Sequence, residues 1–343
     1  MNYMFFLLVF VPAAIVVRYT NGSPQIVFIL SCLGVVPLAS LLGEATEEIA
    51  ARTGPRLGGL LNATLGNAAE LIISAFAIQA GLLDLVLASI TGSILGNVLL
   101  IVGLSLLLGG FKNGIQRFDR SQAGVNATML ILAVIGLGVP SLFSHTIDLH
   151  NHDSVEYLSL SVSIVLMLIY ALWLLYTFTA KNGGEQHHTE PKWSLRKSII
   201  VLVLSTVFIA WLSEILVGSV EPVITNWGIT EFFLGIIVIP LVGNVAEHLV
   251  GVQTAIKNKM ELSLSVSVGS SLQVALFVAP LLVFLSLLLG NPLTLVFNQF
   301  ELIALVAAVL SAALVSLDGE SNWLEGAQLL AVYLILALAF FFL

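Results

Sequence analysis

The chain has 343 residues, and its composition excludes an ordinary soluble domain. Hydrophobic residues make up 58% of it and charged residues only 9%, whereas soluble proteins carry roughly 25% charged residues. The net charge of −8 argues against nucleic acid as a partner, because nucleic-acid binding requires clustered Lys and Arg. The single cysteine, Cys32, cannot form an internal disulfide. The composition therefore indicates an integral membrane protein whose surroundings are the lipid bilayer.

Apolar stretches of about 17–25 residues, separated by turn residues or charge clusters, predict transmembrane helices. The predicted helices are 3–19, 25–43, 57–80, 82–110, 122–143, 155–180, 197–218, 229–256, 261–290, 299–316 and 323–343. The first resembles the apolar core of a signal peptide, but it lacks a basic start and a cleavage site, so it is interpreted as a membrane helix. The predicted fold class is an all-α polytopic membrane protein with 11 transmembrane helices.

The basic residues predict the orientation, because cytoplasmic loops are enriched in Lys and Arg. If the loops alternate between two sides, Arg18 lies alone on one side. The other side carries Arg52, Arg56, Lys112, Arg117, Arg120, Lys181, Lys192, Arg196, Lys197, Lys257 and Lys259. This split predicts a cytoplasmic amino terminus and an outside carboxyl terminus, and the expected location is the plasma membrane of a prokaryote.

Two loops are long enough to contain a site of their own. The outer loop 145–156 is acidic and His-rich, with Asp148, His150, His152 and Asp153. The inner loop 181–197 contains Gly183, Gly184, His187, His188 and Pro191, a composition typical of a flexible linker. Both are interpreted as solvated loops, with a metal site as the alternative.

An internal repeat links the two halves of the chain. Residues 66–108 align without a gap to residues 243–285, and 12 of the 43 positions are identical. Five predicted helices separate the copies, so the copies cross the membrane in opposite directions. The predicted units are an extra helix (1–21), a first five-helix repeat (22–180), a cytoplasmic linker (181–196) and a second, inverted repeat (197–343). Inverted repeats are typical of secondary transporters, whose sites lie near the bilayer midplane.

The repeated residues indicate the chemistry of the site. Glu70 and Glu247 fall inside predicted helices, where a charged side chain costs about 2.5–3.5 kcal/mol. Carboxylate, amide, hydroxyl and backbone oxygens are the ligands of Ca²⁺, and protons compete with a cation for the same carboxylates. The alternative for the glutamates is a protonated carboxyl bonded to a neighbouring helix, which does not predict the same pattern twice. For any single serine nearby, helix packing is the alternative.

The two copies resemble a known family. Their motifs are similar to the two α-repeats of the calcium/proton exchangers, in the cation/calcium antiporter superfamily. The first copy contains Gly66-Asn67-Ala68-Ala69-Glu70 and Gly92-Ser93-Ile94-Leu95-Gly96-Asn97. The second copy contains Gly243-Asn244-Val245-Ala246-Glu247-His248 and Gly269-Ser270-Ser271-Leu272-Gln273. The resemblance covers essentially the whole chain, and Val245 departs from the more usual Ala.

The resemblance implies a central cation site. Glu70 and Glu247 are the implied ligands of Ca²⁺, supported by Asn67, Asn244, Ser93, Ser270, Asn97 and Gln273. Gln273 stands where sodium/calcium exchangers tend to carry an acid, so less negative charge here suits proton coupling. His248 is implied to tune proton affinity, with a hydrogen-bonded structural histidine as the alternative.

Further acids fall at the ends of the implied mobile helices 2 and 7. Glu44, Glu48 and Glu214 are expected to draw cations toward the site. For Glu47 and Glu48 a merely solvated helix end is the simpler interpretation.

The function that the resemblance implies is Ca²⁺/H⁺ antiport, with Ca²⁺ and protons as the transported ions and no cofactor. Exchange of another cation, Na⁺/Ca²⁺ or Mn²⁺/H⁺, is the alternative, followed by a cation channel. An enzyme is not expected, because the chain contains neither H-E-x-x-H nor G-x-S-x-G. The oligomeric state stays open, although the family includes homotrimers.

Overall fold

A computed structural model describes residues 2–148, 153–179 and 191–343 of the chain. The described residues are almost entirely helical. The helices are α1 (Asn2–Leu7), α2 (Phe10–Tyr19), α3 (Pro24–Leu65), α4 (Ala68–Gln79), α5 (Leu83–Leu95), α6 (Val102–Asn113), α7 (Arg120–Asp148), α8 (Asp153–Thr179), α9 (Leu195–Val217), α10 (Val220–Trp227), α11 (Glu231–Phe233), α12 (Ile239–Gly243), α13 (Val245–Ile256), α14 (Met260–Gln273), α15 (Ala279–Leu289), α16 (Gln299–Val315) and α17 (Trp323–Phe341).

Three π-helical segments join neighbouring helices into longer rods. Gly96–Ile101 joins α5 to α6, Leu234–Val238 joins α11 to α12, and Val274–Val278 joins α14 to α15. The first and third occupy aligned positions of the internal repeat, with residues 96–101 matching 273–278. In a π-segment the backbone hydrogen bonds join residues i and i+5, in place of i and i+4, and such segments are frequent at functional sites.

The outer surfaces of the helices are apolar, as contact with lipid requires. Among the described residues, seven helices are long and apolar enough to cross a bilayer, or up to eight when the bent pair Val220–Trp227 and Glu231–Gly243 is taken as one span. Large apolar side chains such as Leu168, Leu172 and Val207 point outward and are more than half exposed. Such surfaces are stable in hydrocarbon and are rare on soluble proteins.

The observed helices follow the predicted ones, with differences where the chain bends. The predicted helix 3–19 is divided between α1 and α2. Predicted helices 25–43 and 57–80 are connected, because α3 continues to Leu65. This long helix is not straight, since a Cβ on Gly58 would lie 3.2 Å from the Cα of Ala50. Eight residues of straight helix would separate them by about 12 Å, so the chain turns back between them.

Helix α10 lies between the predicted membrane helices 197–218 and 229–256. It buries Val220 and Val223, exposes Glu221, and ends at Gly228 in the left-handed conformation (φ 65°). The axis bends by 117° between α10 and the rod that starts at Glu231. An amphipathic helix of eight residues is too short and too polar to be predicted as a membrane span.

Contacts between loops place them at two ends of the structure. One end, called here the basic end, is joined by Arg52 with the Trp193 carbonyl, Asn113 with Ala255, Gln116 with Asn258, and Arg117 with Glu320. It includes the strands β1 (Gln116–Arg117) and β2 (Glu320–Ser321), which pair antiparallel. The opposite end is joined by Phe28 with Trp227, Asn291 with Ile78, Glu231 with Leu85, and Ser141 with Phe297. These pairings agree with the predicted alternation of the loops.

Part of each long loop lies outside the described residues. His150 and His152 of the outer loop, and Lys181, Gly183, Gly184, His187 and His188 of the linker, lie outside the described residues.

Candidate cation-binding site

Two helix breaks at aligned positions position the glutamates. The helical run before α4 ends at Leu65 and the one before α13 ends at Gly243. Asn67 and Asn244 then cap the following helices with nearly the same backbone angles, φ −98° and ψ 24° against φ −96° and ψ 9°. Each asparagine carbonyl accepts the first helical hydrogen bond, from Leu71 N at 3.1 Å and from His248 N at 3.0 Å. Glu70 and Glu247 therefore both lie in a first helical turn, where the helix dipole favours negative charge.

Four hydrogen bonds link the polar residues of the two motif copies. They run from Asn67 Nδ2 to Gln273 Oε1 (2.6 Å), from Asn97 Nδ2 to Ser270 Oγ (2.9 Å), from Asn244 Nδ2 to Ser93 Oγ (3.1 Å), and from Ser270 Oγ to Glu247 Oε2. Three of them cross between the first and second copies. The structure thus brings together residues that lie 151–206 positions apart in the chain.

Glu70 approaches the second break closely. A Cβ on Gly243 would lie 3.2 Å from the Glu70 Cγ and 3.4 Å from its Oε1, so the carboxylate packs directly against the helix end. Glu70 is buried, whereas Glu247 is half-buried. Glu247 lies in the first turn after the same break, and two ionised carboxylates at one break repel each other. A cation between the two carboxylates would relieve this repulsion.

The asparagines leave their carbonyl oxygens free. Each donates its amide group within the protein, while Oδ1 of Asn67, Asn97 and Asn244 is buried without a hydrogen-bond partner, as is Oε2 of Glu70. Buried polar atoms are normally satisfied, so four such oxygens on the motif residues indicate room for an ion or water. Unprotonated hard oxygens are what an alkaline-earth cation takes.

His248 and Gln273 complete the set of predicted site residues. Among the described residues, no group of three or more His, Cys, Asp or Glu side chains could hold a metal ion. His248 is half-buried, and its Nε2 is buried without a hydrogen-bond partner. The remaining predicted residue, Gln273, uses its Oε1 to accept the Asn67 amide.

The three acids predicted to draw cations inward lie in different surroundings. Glu44 is half-buried near the basic end and Glu214 is exposed near the end of α9. Glu48 is 8% exposed, and its Oε2 accepts a 3.0 Å hydrogen bond from the Trp193 backbone N–H. Glu47 beside it is exposed. Glu47 is therefore solvated, but it lies within α3 and not at a helix end, while Glu48 anchors the segment that leads into α9.

One buried acid near the site was not singled out from the sequence. Glu301 in the first turn of α16 is 2% exposed, and its Oε1 accepts a 3.0 Å hydrogen bond from the Thr91 hydroxyl, two residues before Ser93. Its Oε2 accepts the Asn298 N–H at 2.7 Å in a capping box. The Asn-x-x-Glu spacing predicts this cap, but only the tertiary structure shows that the acid also supports α5. Both oxygens are occupied, so Glu301 positions α5 and is not a free ligand.

Comparison with known proteins covers the whole fold. A family profile described as "Sodium/calcium exchanger protein" matches residues 24–179 and 197–342. The chain belongs to this family. The match covers both predicted repeats and leaves out the predicted linker.

Full-length relatives agree with this membership. The chain is 43% identical to the Ca(2+)/H(+) antiporter of Aphanothece halophytica, over 99% of this chain and 97% of the relative. It is 42% identical to the Ca(2+)/H(+) antiporter ChaA of Bacillus subtilis, over 100% of both chains. The native YfkE structure superimposes with a TM-score of 0.88 at 40% identity, covering 99% of this chain and 100% of that one. The predicted resemblance to the calcium/proton exchangers is confirmed.

Proposed function

We propose that the chain is a Ca²⁺/H⁺ antiporter that uses a proton gradient to export Ca²⁺ from the cytoplasm. The observation that carries the proposal is the set of four unpartnered buried oxygens, three on asparagines and one on Glu70 itself. Its family membership and the Ca(2+)/H(+) antiporters among its full-length relatives support it. Exchange of another cation, Na⁺/Ca²⁺ or Mn²⁺/H⁺, is the second candidate, because these ions also accept oxygen ligands.

The mechanism follows from competition for the same oxygens. With both carboxylates ionised, Glu70, Glu247 and the Asn67, Asn97 and Asn244 carbonyls bind the cation. Protonation of the carboxylates removes the charge that holds it, and the cation leaves. Movement of helices around the two breaks exposes the site to one side at a time. Gln273 adds no charge to the site, and Glu44, Glu48 and Glu214 are proposed to attract cations toward it.

The arrangement in the membrane is part of the same proposal. Eleven helices form one extra helix (1–21) and two inverted repeats (22–180 and 197–343) around a cytoplasmic linker (181–196). The amino terminus is cytoplasmic, the carboxyl terminus is outside, and the plasma membrane of a prokaryote is the location. We propose a homotrimer, which only the family resemblance implies. Light scattering of the protein in detergent measures the oligomeric state.

We expect single cysteines to report this orientation. Cys32 is the single cysteine of the chain, so Cys32→Ala provides a cysteine-free background. In that background Arg120→Cys should react with an impermeant maleimide in everted vesicles, and Glu221→Cys should react in intact cells, because both positions are exposed on opposite ends. Labelling of both variants from the same side would contradict the proposed topology.

We expect Ca²⁺ to accumulate against its gradient in proteoliposomes when only a pH difference is imposed. A protonophore that collapses the pH difference should stop accumulation. A channel could not accumulate Ca²⁺ against its gradient in this assay. Mn²⁺, Cd²⁺ and Na⁺ added in turn measure selectivity by competition. Accumulation that requires a Na⁺ gradient, and not a proton gradient, would favour the second candidate.

A further inference from the structure

A column of buried hydroxyls lies between α6, α13 and α14, on the basic-end side of the cation site. It consists of Ser105, Ser263 and Ser267 around Gly251, and is called here the hydroxyl seam. The three serines are 0%, 0% and 1% exposed. A Cβ on Gly251 would lie 3.0 Å from the Ser267 Oγ and 3.9 Å from the Ser105 Oγ, so two of the hydroxyls face the same glycine from different helices.

The seam begins directly next to the site. Gly251 lies four residues after Glu247 on α13, and Ser267 lies three residues before Ser270 on α14. These spacings place each pair on one helix face, one turn apart. Because Ser270 donates to Glu247, the seam continues the hydrogen-bonded network toward the basic end.

Two of the hydroxyls have no partner in the protein. A buried helical serine can donate to a carbonyl one turn earlier, as Ser267 does to Ser263 O at 3.0 Å and Ser271 does to Ser267 O at 3.3 Å. The Oγ atoms of Ser105 and Ser263 make no such bond. An unsatisfied buried hydroxyl costs about 1–3 kcal/mol, and in proteins such groups are commonly satisfied by buried water.

The internal repeat shows that packing does not require these hydroxyls. In the aligned first copy, Ser263 and Ser267 are matched by Val86 and Ile90, and Ser105 is matched by Leu282 in the second copy. At these three aligned positions the other copy of the repeat therefore packs with apolar side chains. Buried serines also lie on the opposite side, namely Ser74, which aligns with Gly251, and Ser89, but unlike those of Ser105 and Ser263 their hydroxyls are not fully buried without a hydrogen-bond partner.

We propose that the hydroxyl seam holds a chain of water molecules that carries protons, and not the divalent cation, between the basic end and the cation site. This rests on the proposed antiport. The seam offers hydroxyls but no carboxylate, and Ile101 Cγ2 lies 3.0 Å from the Cβ position of Gly251. A hydrated divalent cation needs six to eight oxygens and more room, whereas a proton passes along hydrogen-bonded waters.

The test compares two transport modes of the same variant. Ser105→Ala/Ser263→Ala removes the two unpartnered hydroxyls without breaking a hydrogen bond inside the protein. We expect ΔpH-driven Ca²⁺ accumulation in proteoliposomes to slow about tenfold, the effect of losing well-held bridging water. Exchange of labelled for unlabelled Ca²⁺ at equal pH, which moves no protons, should keep its wild-type rate. Gly251→Ala, which narrows the seam, should show the same selective loss.

Ser163→Ala is the matched control, because this serine is equally buried on α8 and its hydroxyl bonds to Ser159 O; both modes should stay at the wild-type rate. Equal slowing of both modes in the seam variants, or no slowing in either, would overturn the seam proposal. Failure of the wild-type chain itself to accumulate Ca²⁺ under a pH difference would instead overturn the proposed function.

Discussion

We expect Glu70→Gln and Glu247→Gln each to reduce ΔpH-driven Ca²⁺ accumulation by at least about 100-fold, the upper range for disturbing a metal site. Glutamine keeps the size of the side chain and one carbonyl oxygen, but it removes the charge and cannot exchange a proton. Both the attraction for the cation and the competition that releases it are lost. The measurement is initial Ca²⁺ uptake into proteoliposomes with an imposed pH difference.

The same substitution at an exposed acid tests whether the loss of transport depends on the position of the removed charge. Glu221 is exposed on α10, so Glu221→Gln should transport at the wild-type rate. Size-exclusion chromatography of all three variants checks that they fold. Normal uptake by both site variants would mean that the unpartnered oxygens around Asn67, Asn97 and Asn244 do not belong to the transport site.

The second large effect concerns two glycines that are equivalent in sequence but not in structure. Gly92 and Gly269 align in the internal repeat. A Cβ on Gly92 would lie 2.6 Å from both the Ile236 carbonyl carbon and the Pro240 Cγ, whereas nothing lies within 4 Å of one on Gly269. We expect Gly92→Ala to destabilise the protein by about 1–3 kcal/mol, as overpacking does. Backbone atoms of the π-segment before α12 cannot rotate away.

The aligned glycine provides the control. Gly269→Ala lies in the interior of α14, where alanine is favoured over glycine by roughly 0.5–1 kcal/mol. Its apparent melting temperature in detergent, followed by tryptophan fluorescence, should equal or exceed that of the wild type, while that of Gly92→Ala falls. Equal shifts in the two variants would show that the close approach of α5 to α12 does not limit stability.

Most helix positions could be predicted because each membrane helix must satisfy its own backbone hydrogen bonds in lipid. The observed α5 to α6 rod (Leu83–Asn113) and α14 to α15 rod (Met260–Leu289) lie close to the predicted 82–110 and 261–290. The paired glutamates could also be found, because a repeated acid inside an apolar segment is costly without a function.

The positions of the helix breaks, and the residues that contact across the fold, could not be predicted from the sequence. The predicted helices 57–80 and 229–256 were drawn as continuous, but each is interrupted at an asparagine, Asn67 and Asn244. Glycine-rich flanks indicated that a break could occur, not which residue would cap the next helix. The role of Glu48 depended on Trp193, 145 residues away, and α10 depended on burial that no local pattern revealed.

The sequence by itself determined that the protein is a polytopic membrane protein with two copies of one motif, since hydropathy and self-similarity are local properties that a single chain displays. Only the tertiary structure decided which oxygens are free. Whether Asn97 donates to Ser270, or Ser105 finds any partner at all, depends on helices that meet across the repeat. The same reason makes Gly92 crowded and Gly269 open: a repeat specifies equal residues, but packing gives each copy different neighbours.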